Sequence, residues 1–491
     1  MQKLTIQRIL LITLFALLFA LATRVPTDTD TWWHIRSGEY TLKHSMIYED
    51  PFSFTKNGEE WINHSWGSQI ILYLAWEVAG NIGLSLYVSI LATAGMGMLY
   101  LTSEGDPYLR AFTLVLGAST AAVFWSARPQ MISFFLSTII LYLLFLYKRK
   151  GIDRLWLILP VMMVWGNMHA GFSIGFIFMG GMIVGEIIGN VFMRDADELM
   201  PPQGIRKLII VGLVSAAALV INPYTFKMLL VPFQTLSIGV LRDFIQEWNS
   251  PNFQQRQTLP FILLLFALLA TVWSSKRRFD WTYFLLIAGT TFMALTAGRN
   301  IAVFAVVVTP IVTYYAAAIM EERGWIIKPI QRVTKRQARL NAALLTVILF
   351  FTLVYILSVF DSETIDKAQR NNLPIQVAEF IESEQLPGPM FNSYNWGGYL
   401  MFALPEYPVY VDGRTDLYKD EFLLRYLKTA TGGDDWRKTL DEDGINMVVI
   451  EQGSGLARAL GEDQDWTLIY PNDEYEDENR VIYSRNQNEE E

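Results

Sequence analysis

The chain has 491 residues, 52% hydrophobic, 14% aromatic and 18% charged, with 39 Lys and Arg against 48 Asp and Glu for a net charge of −9. Several stretches of roughly 15–20 residues carry almost no charge, the composition of a multi-span membrane protein. The lack of any cysteine excludes disulfides, thiolate nucleophiles and Cys-based zinc or iron–sulfur sites; a charge division of +8 over residues 1–360 and −17 over 361–491 excludes nucleic acid as a partner of the acidic part.

In chain order, apolar runs predict transmembrane helices over 9–22, 82–101, 109–126, 129–147, 155–168, 172–193, 207–221, 259–274, 281–297, 301–319 and 341–360, eleven in all. The segment 66–79, with Trp66, Gln69, Trp76 and Glu77, is short for a crossing and reads as a helix lying in the interface. The first run resembles a secretory h-region and ends in Ala20-Leu21-Ala22, a candidate cleavage site. With Lys3 and Arg8 inside, the loops at 102–110, 148–154, 194–206, 275–280 and 320–340 also fall inside. Together with Lys207 at the edge of a span, these inner segments hold 19 Lys and Arg, against 9 in the outer loops before residue 361. The positive-inside rule therefore predicts a multi-pass protein of the plasma membrane with a cytoplasmic N-terminus and an outer loop over 23–81.

From residue 361 the pattern becomes strands at 389–393, 408–412, 446–451, 466–470 and 480–484, alternating with helices at 373–385, 396–404, 419–430, 434–443 and 453–460. The expected division is a transmembrane domain over 1–360 and an extracytoplasmic α/β domain over 361–491.

This topology sorts the unusual polar residues to one side. TDTDTWWHIRSGEY at 27–40, NHSW at 63–66, SARPQ at 126–130, GNMHAGF at 166–172, INPYTF at 221–226 and AGRN at 297–300 all face out, as do all four histidines, His34, His44, His64 and His169. Asp28 and Asp30, if extended, point the same way; they suit a shared divalent cation, Mg or Mn, or a division of labour in which one takes a proton and the other orients it. The competing reading is a solvated acidic turn. Trp32 and Trp33 are expected to seat the pair at headgroup depth.

Arg128 and Arg299 lie in short turns between apolar runs and carry a donor fork matched to phosphate, as against ordinary snorkelling to headgroups. Gln130, with Pro129, fixes a polar turn around Arg128. His64 and His169 are candidate phosphate partners or proton carriers without metal-ligand spacing. Trp33, His34 and Arg36 complete the loop's candidate contacts, although Arg36 and Glu39 at i and i+3 match an ion pair, and Asp50-Pro51 marks a turn. In the tail, Asn395 of NSYNWGGY and Arg414 of VDGRTDLY sit at strand ends where α/β sheets bind ligands; the alternative is turn chemistry, with Asp412 and Arg414 holding a bend. No Walker loop, Rossmann glycine fingerprint or GxSxG elbow is present.

A first span, an outer loop with acidic residues near its start, an interfacial helix and then many spans resembles the GT-C superfamily of polytopic glycosyltransferases that use polyprenyl-phosphate sugars. The likeness is to bacterial relatives of the protein O-mannosyltransferase, aminoarabinose transferase and Rgt groups, and is carried by DTDTWWHIRSGEY, DPFSFT, WINHSW, SARPQ, NSYNWGGYL and VDGRTDLY. It implies a GT-C-like membrane domain in which Asp28 and Asp30 hold the catalytic base or the metal. The expected activity is transfer of a hexosyl or pentosyl group from a polyprenyl-phosphate donor to a glycan, lipid or protein acceptor at the outer membrane face. Three alternatives stand beside it: an oligosaccharide transferase, ligase or polymerase acting on lipid-pyrophosphate glycans; a transporter or flippase, which would show mid-span charges and paired halves; and a structural or assembly protein with an outer interaction domain, for which the clustering of the outer loop residues would be coincidental.

Overall fold

A computed structural model describes residues 4–192, 199–240, 245–278, 280–325, 333–473, 475 and 477–486. Residue 193, the last of the run expected at 172–193, and residues 194–198, 279 and 326–332, in the inner loops expected at 194–206, 275–280 and 320–340, lie outside the described residues.

Every predicted apolar run is helical: Ile6–Ala22, the later part of Trp66–Thr102, Pro107–Ala121, Gln130–Lys150, Ile158–Met168, Ser173–Phe192, Pro202–Ala218, Leu259–Ser274, Trp281–Thr296, Ile301–Glu322 and Lys335–Val359. Among the described residues seven helices are long and apolar enough to cross a membrane, where the sequence predicts eleven spans; Ile6–Ala22, Leu155–Met168 and Trp281–Thr296 are apolar but shorter. The helix from Trp66 breaks at Ala79 and at Gly80, whose φ of 53° suits glycine. The break separates 66–79 from the following run, as the sequence suggests. Ile71, Leu74 and Val78 form an exposed apolar stripe along the first part.

The chain divides into two compact units. The first, Met1–Arg24, Asn81–Pro232 and Ile245–Asp361, is the helical body. Its centre is Ile301–Glu322, buried along most of its length and packed on Pro107–Ala121, Leu259–Ser274 and Trp281–Thr296. Close approach there depends on Gly117, where a Cβ would lie 2.1 Å from Thr309 Oγ1. Elsewhere in this unit Lys148 pairs with Glu186 and, at 2.8 Å, with Asp280, so that one buried ammonium ties its own helix to Ser173–Phe192 and to the N-cap of Trp281–Thr296.

The second unit joins Val25–Gly80 and Phe233–Phe244 to Ser362–Glu491. It therefore brings the first outer loop together with the α/β residues, a grouping that a linear division at 360/361 does not contain. Its four-stranded sheet comprises β1 (Met390–Asn392), β2 (Met447–Glu451), β3 (Trp466–Tyr470) and β4 (Arg480–Arg485) in the order β1-β2-β4-β3, with β1 parallel to β2 and the other pairs antiparallel. The five predicted helices are present, at Ile375–Glu384, Tyr394–Ala403, Thr415–Ala430, Trp436–Glu442 and Gly455–Gly461, and Ser362–Asn372 adds a sixth.

The strand expected at 408–412 is corrected. Val409 makes one isolated parallel bridge to Ser53 of the outer loop, and the Asn392 side chain takes up the Tyr410 N–H and the Val411 carbonyl, each at 2.8 Å. Its pairing partner is hundreds of residues away, so local periodicity reads the extended backbone and misses the sheet edge. The lipid-anchor role of the tryptophans is corrected as well. Trp32 is 2% exposed, edge to face with Trp76 and Tyr399 at 5.3 Å, and Trp33 is 6% exposed against the His34 ring. Both serve the core of the second unit, where indole burial contributes more than headgroup contact.

Candidate functional site

In the second unit the outer loop turns into the helix Asp30–Lys43 at Asp30 itself. Asp28 Oδ1 accepts the Asp30 backbone N–H at 3.0 Å, and Asp30 Oδ1 accepts the Trp33 indole N–H at 3.1 Å. The extended geometry expected for the pair is therefore replaced by a helix start, because an aspartate two residues upstream satisfies one of the orphan donors there. Both carboxylates remain half-exposed.

The motif stretches of the tail close around this loop. A Cβ on Gly413 would sit 2.1 Å from Asp30 Oδ1 and 2.9 Å from Trp33 Nε1, and one on Gly398 would sit 2.8 Å from the Thr29 carbonyl. The glycines of VDGR and NWGGY thus allow two backbones to approach the acidic loop. Asn395 is exposed on the same helix as Gly398.

Arg414, expected to meet substrate, is instead fully buried. It pairs with Asp50 and with both oxygens of Asp412, at 2.7 Å to Oδ2 and 2.8 Å to Oδ1, and its guanidinium lies over the Phe52 and Trp61 rings. Asp50 also receives the Phe52 and Ser53 N–H groups at 3.1 Å, and Tyr418 donates to Asp412 at 2.8 Å. Burial alone would lower the Arg414 pKa, but the carboxylates of Asp412 and Asp50 outweigh it and hold the charge on. Arg414 is a positioning residue that fastens DPFSF to VDGR, and the bend reading of Asp412 and Arg414 is the one the geometry matches.

The remaining loop residues are also engaged inside the unit. His34 is buried, with Nδ1 3.3 Å from Gln69 Nε2, and Gln69 Oε1 accepts from Asn63 at 2.6 Å. Arg36 meets Glu39 at 2.6 Å as an i,i+3 ion pair. His64 stays half-exposed, its Nδ1 2.8 Å from Ser65 Oγ.

The first unit gathers a second cluster. Arg128 and Arg299, from different turns, converge on Glu247 at 3.1 and 3.2 Å, and Arg299 lies over the Trp248 ring at 4.4 Å. The Gly298 N–H donates to the Asn249 carbonyl at 2.9 Å, clamping the two turns together. Sequence reasoning missed Glu247. The available signal was an acidic residue beside a tryptophan, QEWN at 246–249, in a stretch assigned to the outer side.

Burial would raise the Glu247 carboxyl, but Arg128 and Arg299 hold it down at about 2. A depressed folded value contributes stability that is complete above the ordinary 4.5 and is lost as pH falls through about 2. The difference in melting temperature between the wild type and Glu247→Gln, followed by tryptophan fluorescence, should be constant from pH 8 to about 5 and shrink below it; a difference unchanged at pH 3 would contradict the pairing.

Gln130 is buried and donates to Phe124 O at 3.3 Å and Ser126 Oγ at 3.2 Å, holding the SARPQ turn. His169 Nδ1 accepts the Gly171 N–H at 3.0 Å and lies 2.8 Å from Ser133 Oγ. Nδ1 is thereby the acceptor, so the neutral ring carries its proton on Nε2.

Among the described residues no group of three or more His, Asp or Glu is placed to hold a metal ion. Two neighbouring carboxylates still suit a hard cation that keeps waters and substrate phosphates as its other ligands, the habit of Mg.

The helical body and the loop 25–80 built into an α/β unit define a polytopic α-helical membrane protein with a C-terminal α/β domain. No protein-family model and no curated protein matches the sequence. Among solved structures, it is similar to the archaeal oligosaccharyltransferase AglB from Archaeoglobus fulgidus in complex with an inhibitory peptide and a dolichol-phosphate, with TM-score 0.56 and 12% identity over 96% of this chain and 75% of that one. The apo form of the Archaeoglobus fulgidus oligosaccharyltransferase gives 0.52 at 12% identity, over 90% and 69%. ArnT from Cupriavidus metallidurans in the apo state gives 0.50 at 12% identity, over 95% and 96%. At this identity the likeness is one of fold.

Proposed function

We propose that the protein is a membrane glycosyltransferase that moves a hexosyl or pentosyl group from a polyprenyl-phosphate donor to an acceptor hydroxyl at the outer face of the membrane. The observation that carries this reading is the convergence of Arg128 and Arg299 on one carboxylate, at 3.1 and 3.2 Å, in turns between apolar helices. Two guanidinium forks preassembled around an anion are suited to a lipid-linked phosphate. The dolichol-phosphate bound to AglB is consistent with such a ligand on this fold.

The acceptor oxygen attacks the anomeric carbon as its proton passes to Asp28 or Asp30. The bond from that carbon to the phosphate oxygen breaks, and the electron pair leaves with the lipid phosphate, a charge of the kind that paired guanidinium forks neutralise. A positioned base supplies about 10²–10⁴ in rate, and phosphate stabilisation and orientation supply the rest. A divalent cation, where used, would be held by Asp28 and Asp30 and would supply charge stabilisation to the phosphate.

Incubation of the purified protein with a panel of polyprenyl-phosphate and polyprenyl-pyrophosphate sugars should release lipid phosphate from a monophosphate donor. Turnover only of pyrophosphate donors would favour the oligosaccharide transferase reading instead, and no release from any donor would sink both. The orientation follows from the distribution of Lys and Arg. Because the chain lacks cysteine, a single Cys at Gly151 should label with a membrane-impermeant thiol reagent only after the membrane is opened, and one at Asn395 without opening it.

A further inference from the structure

A cavity of about 560 Å³ opens in the second unit where β1 and β2 end, and none of the groups assigned to base and phosphate chemistry is among its described lining residues. Its lining includes four amides, Asn371, Asn372, Gln452 and Asn479, and two carboxylates, Glu451 and Glu478. The parallel strands β1 and β2 present their carboxyl ends there, the edge at which open α/β sheets receive ligands. Ser393 Oγ, just beyond β1, donates to Glu451 Oε1 at 2.6 Å, and the Gln452 N–H donates to the Asn479 carbonyl at 2.9 Å. These bonds fix the floor, while Asn371, Asn372, Gln452, Glu478 and Asn479 remain exposed.

The lining selects the ligand class. Arg480 is at the wall, but its guanidinium is taken by Asp477 at 3.1 Å and by the Arg370 carbonyl at 3.0 Å, and lies over the Trp396 ring at 5.8 Å. Glu451 and Glu478 therefore leave the cavity anionic, which repels phosphates and acidic sugars. Among the described lining residues Trp396 is the one apolar side chain and is itself buried, so an acyl chain or an apolar peptide finds little to cover. Side-chain amides place donor and acceptor side by side, and carboxylates accept from two hydroxyls, which together match vicinal hydroxyl groups. The volume is in the range that small-molecule sites enclose, enough for a short oligosaccharide.

The cavity is also tied to the acidic loop. Asn371 and Asn372 end the helix Ser362–Asn372, and Gln369 of that helix donates to the Pro26 carbonyl at 3.0 Å, two residues before Asp28. We infer that this groove binds a neutral or amino-sugar segment of the acceptor, which makes the acceptor a glycan or glycolipid. The word acceptor rests on the transferase reading; the binding of sugar rests on the groove alone.

The test uses the full-length protein in detergent and saturation-transfer NMR with maltose, cellobiose and chitobiose, beside trilysine as a basic peptide. At least one saccharide should bind saturably. Binding should weaken about tenfold in Asn371→Ala/Gln452→Ala, as two lost hydrogen bonds predict, and also in Glu478→Gln. All these positions are exposed rim residues, and unchanged melting temperatures would confirm that the variants fold. The inference is overturned if no saccharide saturates, if trilysine saturates in their place, or if the rim variants bind like the wild type. Saccharide binding without release of lipid phosphate from any donor would keep the groove and remove the transferase reading.

Discussion

Asp28→Asn and Asp30→Asn are each expected to lower sugar transfer by about 10²–10⁴, the contribution of a positioned base, with melting temperature and expression unchanged. Asparagine keeps an oxygen in place. The bond from the Asp30 N–H to residue 28 and the bond from the Trp33 indole to residue 30 therefore survive, and only the charge and the proton acceptor are lost. Release of lipid phosphate measured in membranes decides the matter: wild-type turnover in both variants removes the proposed base. Gly413→Ala supplies a geometric control. Its new methyl would lie 2.1 Å from Asp30 Oδ1, so the carboxylate must move, and turnover should fall although both aspartates are intact. Full activity in Gly413→Ala would mean that the position of Asp30 is not critical.

Arg414→Ala is expected to cost about 3–5 kcal/mol, the penalty for removing one partner of a buried ion pair. Asp50 and Asp412 would be left buried around an empty space, and Phe52 and Trp61 would lose the cation that lies over their rings. Because the chain has no cysteine for thiol dyes and 15 tryptophans, intrinsic fluorescence is the natural reading of the melt. A variant that melts like the wild type but binds donor poorly would return Arg414 to the substrate contacts. Replacing Asp50, Asp412 and Arg414 together by apolar residues of similar volume should be far milder than the single change, since no charge is then stranded.

These expectations differ in how far the sequence anticipates them. The helices were legible because apolar length and period are local properties: each of the eleven runs is a helix. The tail's alternation of short strands and helices is local too, and four of its five strands form the sheet. The fifth, around Val409, was not legible as a bridge because its partner is Ser53. Glu247 carried little signal by itself, since a lone glutamate in a loop acquires meaning only from Arg128 and Arg299, which arrive from turns far apart in the chain.

By itself, the sequence determined the class of the protein: a charge-poor helical body, an acidic α/β domain, no cysteine chemistry, and the short polar stretches that matter. Tertiary structure decided what those stretches do. It turned Trp32 and Trp33 from lipid anchors into core residues, Arg414 from a ligand contact into a buried clasp, and two isolated arginines into a pair around one carboxylate. The physical reason is that burial and charge pairing depend on which groups meet across long loops. A residue's own neighbours in sequence specify its backbone and its face, while its partner, and hence its electrostatic state, is fixed only when the chain is folded.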